Sequence, residues 1–407
     1  MAAYLICLTS GGGIPLFTRS KGDLKPLPFP VIGSLNAVHM FAANHGTELK
    51  TATTEGSKIV WKSFLNSINL IIVTSEDNAD DCHVNKLLDN IFHALILLYG
   101  EEELANIKNV ERCKREIKVC YQLIDYILER WFLPTFSDVT NAVDTIAAQE
   151  VHILQNFLDA FTETGDSLFG CLMVHGKVAV ATKKWWSLSA TELILLSLLV
   201  ESLLRCSSRD VPVYLPQMSP SVPHRLLTFS LMNGVDVCII CGPAPSLSQL
   251  EKEVGRFWGA AFDSLKSLRE VHPRNIPPNI TLDPNIMGFM LINGESNRCL
   301  CSVDVNSCTS EHSINGARRR EILRCYYQKV IGTYFSSTIE GSENGPTEFA
   351  HKPFETYVVT ESYKIYALQL NTYHFFVLYT IDIPTYAMRS VTQKSLNILI
   401  KDKNVLI

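Results

Sequence analysis

Apolar and polar positions along the chain spell out one pattern three times. Each copy predicts two strands closed by a glycine turn, a helix, and a three-strand stretch that ends nearly unbroken in apolar residues. One or two further helices then follow. The turns mark the copies best. Tyr4 to Thr9 turns at Gly11, Gly12 and Gly13 and resumes at Ile14, Leu16 and Phe17. Leu168 to Val174 turns at His175 and Gly176 and resumes at Val178 to Ala181, and Met287 to Ile292 turns at Asn293 and Gly294 and resumes at Cys299 to Val303. Asn-Gly is a strong hairpin signal because both residues accept the positive φ that primed turns require.

The second half of each copy repeats as well. Ile59 to Phe64 is followed by Ile68 to Val73, His224 to Met232 by Val235 to Cys241, and Tyr366 to Leu370 by His374 to Thr380. A run such as Val237, Cys238, Ile239 and Ile240 does not alternate, which predicts a central strand covered on both faces. Helices must then flank each sheet on both sides. Pro30 opens one, with Val31, Leu35, Val38 and Phe41 on one stripe. Two more follow through Val84, Leu87, Ile91, Leu95 and Leu98, then Val110, Ile117, Tyr121, Ile124 and Leu128. Later helices are predicted over Thr191 to Leu204, Ser246 to Val271, Gly316 to Tyr334 and Arg389 to Ile400.

The fold class is therefore α/β, built as three tandem domains over residues 1–133, 134–272 and 273–407, each a five-strand sheet flanked by helices. A length of 407 residues suits about three domains. A hydrophobic fraction of 47% is that of an ordinary globular protein, and a net charge of -5 argues against nucleic acid as partner. The longest apolar stretch, Leu193 to Leu204, is too short to span a bilayer and carries Glu201. The first residues lack the basic region of a secretory signal, so a cytosolic chain is expected.

Twelve cysteines are spread singly over strands and helices and are read as buried thiols that act as small hydrophobes. Cys238 and Cys241 stand three apart on a strand and point to opposite faces, and Cys299 and Cys301 have no second pair at zinc spacing, so no metal is expected. Gly11 to Gly13 is followed by no Gly-Lys-Ser/Thr, and no hydrolase, metalloprotease or kinase signature occurs. Neither a catalytic residue nor a cofactor is expected.

Three surface features carry open alternatives. Arg318, Arg319 and Arg320, with Arg324, start a helix and read either as a contact for phosphoinositide headgroups or an acidic partner, or as a solvated helix face. Trp185 and Trp186 cannot both face one way, so one packs inward and its neighbour is free to anchor a partner. The proline-rich Arg209 to Pro223 reads as an extended, ordered connection.

Four stretches carry a family resemblance: LPFPVIGSLNAVHMF (Leu27 to Phe41), VWKSF with its following SINLIIVTSE (Val60 to Glu76), EELANIKNVER (Glu102 to Arg112) and DVPVYLPQMSPSVPHRLLTFSL (Asp210 to Leu231). They resemble the planar cell polarity effector branch of the tri-longin proteins. The resemblance is specific in the first two copies and weaker in the third, where Glu340 to Thr347 looks like a variable loop. It implies three longin domains and a non-enzymatic chain that pairs with Inturned and assembles with Wdpcp at the ciliary base. It further implies a Rab-like or Rab-family small GTPase, bound or exchanged by the pair, in ciliogenesis, planar polarity and Hedgehog signalling. By the same resemblance the strand Ile14 to Thr18 and the helix Val31 to Ala43 are interface elements, with Phe17, Val38, Met40 and Phe41 facing either a partner or the domain's own core. The isolated chain is expected to be poorly soluble.

Overall fold

The computed structural model describes residues 2–22, 25–75, 81–132, 140–305, 314–335, 353–405 and 407. Glu340 to Thr347 lies outside them. The elements in chain order are β1 (Ala3–Thr9), β2 (Pro15–Lys21), α1 (Phe29–Asn44), β3 (Thr51–Thr54), β4 (Ser57–Phe64), β5 (Ile68–Thr74), α2 (Asp81–Tyr99), α3 (Glu101–Ala105), α4 (Val110–Glu116) and α5 (Tyr121–Phe132). Next come β6 (Val143–Thr145), α6 (Val151–Thr164), β7 (Phe169–Val174), β8 (Lys177–Ala181), α7 (Ala190–Ser202), β9 (Ser208–Leu215), β10 (Ser219–Met232), β11 (Val235–Cys241), α8 (Leu247–Gly259) and α9 (Phe262–Glu270). The last are β12 (Ile286–Asn293), β13 (Arg298–Ser302), α10 (Gly316–Val330), β14 (Glu355–Val359), β15 (Tyr363–Leu370), β16 (Tyr373–Thr380) and α11 (Met388–Lys401). Residues 209–223, read as a connection, instead form most of β9 and the start of β10. Pro212 is tolerated because β9 ends its sheet.

Chain contacts gather these elements into two compact units: residues 1–133, 191–227 and 241–243, and residues 134–190, 228–240 and 244–407. The first contains an antiparallel sheet of order β2-β1-β5-β4-β3. All of β1 and β5 is buried, because side chains alternate between two covered faces. On one face Tyr4, Ile6, Leu8, Trp61, Ile71 and Val73 meet Ile32 of α1. The other face belongs to the later helices, where α5 lies on β2 and α2 on β4. Charged pairs stitch that side: Arg19 Nε donates to Asp125 at 2.7 Å, and Lys62 Nζ lies 2.8 Å from Asp89.

The same unit takes in α7 and β9. Arg130 and Tyr126 of α5 both reach Glu201 of α7, and burial, then the Glu201 carboxylate, push the Tyr126 phenol up to about 12. Glu192 is buried and accepts from the backbone N–H groups of Gln217 and Met218, both at 2.9 Å, so it caps the β9–β10 turn. Gly100 has φ +94, and a Cβ there would stand 3.1 Å from the Tyr214 ring of β9.

The second unit is organised by a three-residue strand that sequence periodicity did not predict. Strand β6 pairs parallel with β13, Val143 to Thr145 against Arg298 to Leu300, and pairs parallel again with β8 through Thr145 and Val178. It joins the β7–β8 and β12–β13 hairpins into one sheet, running β14-β15-β16-β12-β13-β6-β8-β7-β11 within this unit. Thr145 Oγ1 adds a bond to Cys299 O at 3.0 Å. Asn275, between the second and third copies, accepts from Ala147 N and donates to Cys301 O at 2.7 Å. Arg274 beside it donates to the carbonyls of Val305, Pro277 and Ile280.

In the third copy both sheet faces are closed. Met290, Ile292, Phe376 and Leu378 pack under Leu323, Tyr326 and Tyr327 of α10, and the alternate residues Phe289, Leu291, Phe375 and Val377 under Met388, Leu396 and Leu399 of α11. Among the described cysteines, Cys7, Cys113, Cys120, Cys171, Cys238, Cys241 and Cys299 are buried, and burial pushes the Cys7 thiol up. The expectation of buried thiols needs correction at Cys206 and Cys325, which are exposed.

His272 sits at the β6 seam with its ring 4.4 Å from that of His175. Burial first, then the charges of Lys177, His175 and Arg320, lower its pKa from 6.5 to about 4. The folded pKa lies below the unfolded one, so the unfolded chain takes up this proton first. The associated stability is present in full above about 6.5 and is lost as pH falls toward about 4. Thermal melts across that range should show a shallower acid-side fall in stability for His272→Gln than for the native chain; equal slopes would remove His272 as the cause.

Candidate functional site

Helix α1 is apolar around nearly its whole circumference and contains no Asp, Glu, Lys or Arg. A helix of that composition is ordinarily enclosed on every side. Helix α7 is the comparable element of the second copy, with the run Leu193 to Leu196, and that run is buried throughout. Helix α1 instead buries only Ile32 and Asn36, aided by a bond from Trp61 Nε1 to Leu35 O at 3.2 Å. The stripe Val31, Leu35, Val38 and Phe41, expected to pack on a sheet, is turned away at Val31, Val38 and Phe41. Phe29 is 71% exposed, Phe41 67% and Val38 54%, with Met40, Val31 and Ile14 also open.

The glycine turn fixes this surface to the sheet. Gly13 has φ +60, and a Cβ there would fall 2.1 Å from Asn36 Nδ2, so the turn closes on α1 only because residue 13 has no side chain. Ile14 N donates to Thr9 Oγ1 at 3.1 Å, which holds Ile14 at the end of the exposed patch. Asn36 Nδ2 reaches Met40 Sδ at 3.3 Å, and the Phe41 ring lies 4.5 Å from that of His45. None of the first unit's described ion pairs involves α1. The result is a largely apolar exposed face without Asp, Glu, Lys or Arg on the helix, the kind of surface that marks interaction sites.

The other residues singled out from the sequence lie elsewhere. Phe17 is a correction: it pairs with Cys7 across β1–β2, so its side chain takes the sheet face opposite α1, where it is buried 5.6 Å from the Tyr121 ring. Trp185 is fully buried, and Trp186 is half-buried under Arg298, whose guanidinium carbon stands 3.8 Å from the ring centroid. Neither ring is an open anchor. The three arginines do not form one basic patch, because successive helical residues point about 100° apart. Arg318 is exposed and paired with Glu321 at 2.7 Å, while Arg320 is half-buried. Arg319 is 5% exposed and donates to the carbonyls of Ile314, Val303 and Met287 at 2.7, 2.8 and 3.2 Å. Among the described residues no group of three or more His, Cys, Asp or Glu is placed to hold a metal ion, and no helix is long and apolar enough to cross a membrane.

A five-strand antiparallel sheet with α1 on one face and α2 and α5 on the other defines a longin domain, and this chain carries three. Family models described as the first, second and third longin domains of FUZ, MON1 and HPS1 match residues 3–127, 165–259 and 285–403. Protein fuzzy homolog of Xenopus tropicalis is 42% identical over 414 residues, 98% of either chain. The Homo sapiens and Mus musculus proteins of the same name are 39% and 37% identical, each over 97% of both chains. The chain belongs to the fuzzy homolog family of three-longin proteins.

Arg319 and Arg318 differ in consequence although they are neighbours. Arg319→Leu strands three carbonyls against a buried apolar side chain and should cost on the order of 3 kcal/mol, a fall of several degrees in midpoint. Arg318→Ser should leave the midpoint unchanged. Calorimetric or fluorescence melts of the two variants check this, and equal effects would refute it.

Proposed function

We propose that this chain is the non-catalytic half of a heterodimeric guanine nucleotide exchange platform, pairing with Inturned through the open face of α1 and Ile14. Wdpcp joins the pair in the ciliogenesis and planar polarity effector assembly at the ciliary base, and a Rab-family small GTPase is the substrate. Cilium assembly, planar cell polarity and Hedgehog-dependent development are the processes this assembly would serve. One observation carries the reading: the apolar run of the comparable helix is enclosed in the second copy, whereas α1, apolar nearly all round and without Asp, Glu, Lys or Arg, is open in the first. Burying side chains such as Phe29, Val38 and Phe41 returns ~1.5–3 kcal/mol each, enough to make a stable pair from a few anchors.

Exchange asks for no bond chemistry from such a platform. It need only bind the nucleotide-free GTPase more tightly than the loaded form, so that its binding energy is drawn from the nucleotide's contacts. A sheet covered by helices on both faces is stiff enough to hold switch segments in that altered position. Membership in a family shared with MON1 and HPS1 supports the same reading.

The test is the rate of labelled GDP release from a panel of Rab-family GTPases, with the chain alone, copurified with Inturned, and copurified as Phe41→Asp or Val38→Asp. Acceleration only by the native pair is expected. Each aspartate should weaken pairing by about 30-fold, the equivalent of ~2 kcal/mol, with the melting midpoint unmoved because both residues are exposed. A pair that binds a GTPase without changing GDP release would make the chain an adaptor that scaffolds these partners.

A further inference from the structure

We propose that the outer edge of β14 is a self-complementary strand through which a second copy of this chain pairs antiparallel. This goes beyond the heterodimer reading and uses a surface remote in sequence from α1. Strand β14 ends the sheet of the second unit, with β15 on one side and no described strand on the other. Its free side can be read from the ladder. Gln369 N donates to Phe354 O at 2.7 Å and Thr360 N to Tyr363 O at 2.9 Å, within the register that sets Glu355 against Leu368 and Val359 against Lys364. Bonds to β15 therefore come from the even-numbered residues, and Glu355, Tyr357 and Val359 direct their N–H and C=O groups outward.

The other strands that end a sheet are blunted. Strand β3 is four residues of sequence TATT, β2 begins at Pro15 and carries Arg19 and Lys21 in ion pairs, and β9 contains Pro212 and lies against α2. Strand β14, sequence ETYVV, has no Pro, Gly, Lys or Arg. Tyr357 is 54% exposed and Val359 48%, with Val358 also open, so side chains on both of its faces are accessible, and among the described residues no strand pairs with its outer edge. An unblunted apolar edge of this kind is a template for another strand.

A second copy fits by register and charge. Antiparallel pairing centred on Tyr357 sets Tyr357 against its own symmetry mate and Glu355 against Val359, so every outward residue meets another outward residue and no like charges face each other. Glu355 already accepts from Tyr366 Oη at 2.6 Å and is paired with Arg389 at 3.1 Å. The Tyr357 ring lies parallel to Tyr366, 6.3 Å between centroids and 8° between planes. Two-fold pairing would continue that stack across the junction, as an isologous contact does.

The experiment is light scattering and sedimentation of the full chain carrying Phe41→Asp, which removes any association through α1. A dimer at tens of micromolar is expected, dissociating at least tenfold more readily with Tyr357→Pro and with Tyr357→Lys. The proline deletes an N–H that points away from β15, so the ladder within the chain keeps its bonds; the lysine leaves the backbone intact and places like charges opposite each other. A chain that stays monomeric, including one whose edge takes up only a foreign strand, overturns the proposal, as does a dimer indifferent to both substitutions. Loss of GDP-release activity would bear on the heterodimer reading alone.

Discussion

Three residues of backbone hold the second unit together. Val143 to Thr145 pair with β13 and Thr145 pairs again with β8, so the strand covers an edge of each that would otherwise be left open to solvent or to another chain. Asn275 bonds to the chain just beyond β6 and to the end of β13, and Arg274 ties the following segment to carbonyls on either side of β12 and β13. With β6 in place, the two hairpins are one sheet and their apolar strands can be covered continuously. Without it, β8 and β13 would each present a free edge in the middle of the chain.

The same requirement governs the helices. Strands that are apolar on both faces must be enclosed on both, and in the third copy α10 and α11 do this with alternate residues of β12 and β16. In the first copy the sheet is enclosed equally well, yet α1 does so with Ile32 and half-buried neighbours while turning Phe29, Val38 and Phe41 outward. The sheet has all the cover it needs from one side of α1. The second apolar side is left exposed at Phe29, Val38 and Phe41, and that exposure is what the proposed pairing rests on.

Much of this was legible in the sequence. The first two glycine hairpins, the apolar strands β5, β11 and β16, and the helices after them stand where turn chemistry and periodicity put them, while the third hairpin turns later than Asn293-Gly294, with Asn293 still paired to Arg298 and the positive φ at Asn297. Strand β6 was not, because three residues reading Val-Asp-Thr carry no period and acquire their role only from the neighbours they join. Helix α6 was not predicted although Val151, Leu154, Leu158 and Phe161 follow helical spacing, since the repeat of the other copies opens on a hairpin and has no helix before it. Among the site residues, the sequence left open which way Phe17 faces and which of Trp185 and Trp186 packs inward, because an aromatic in a strand or tight turn shows its size but not its side; the side is set by pairing with Cys7 in one case and by a single 3-10 turn in the other.

Helix α1 shows where such reading stops. Its sequence allows two stripes, one through Ile32 and Asn36 and one through Val31, Val38 and Phe41, and the second is the more apolar. Burial alone would choose that one. The sheet takes the other because Gly13 lets the hairpin turn close on Asn36 and, separately, the Trp61 indole of β4 donates to the Leu35 carbonyl, contacts that fix the rotation of the helix through a polar side chain and a backbone acceptor. The more apolar stripe is left outside by geometry. Because Val38 and Phe41 stand outside the contacts that orient the helix, a charge placed on either should leave the fold intact.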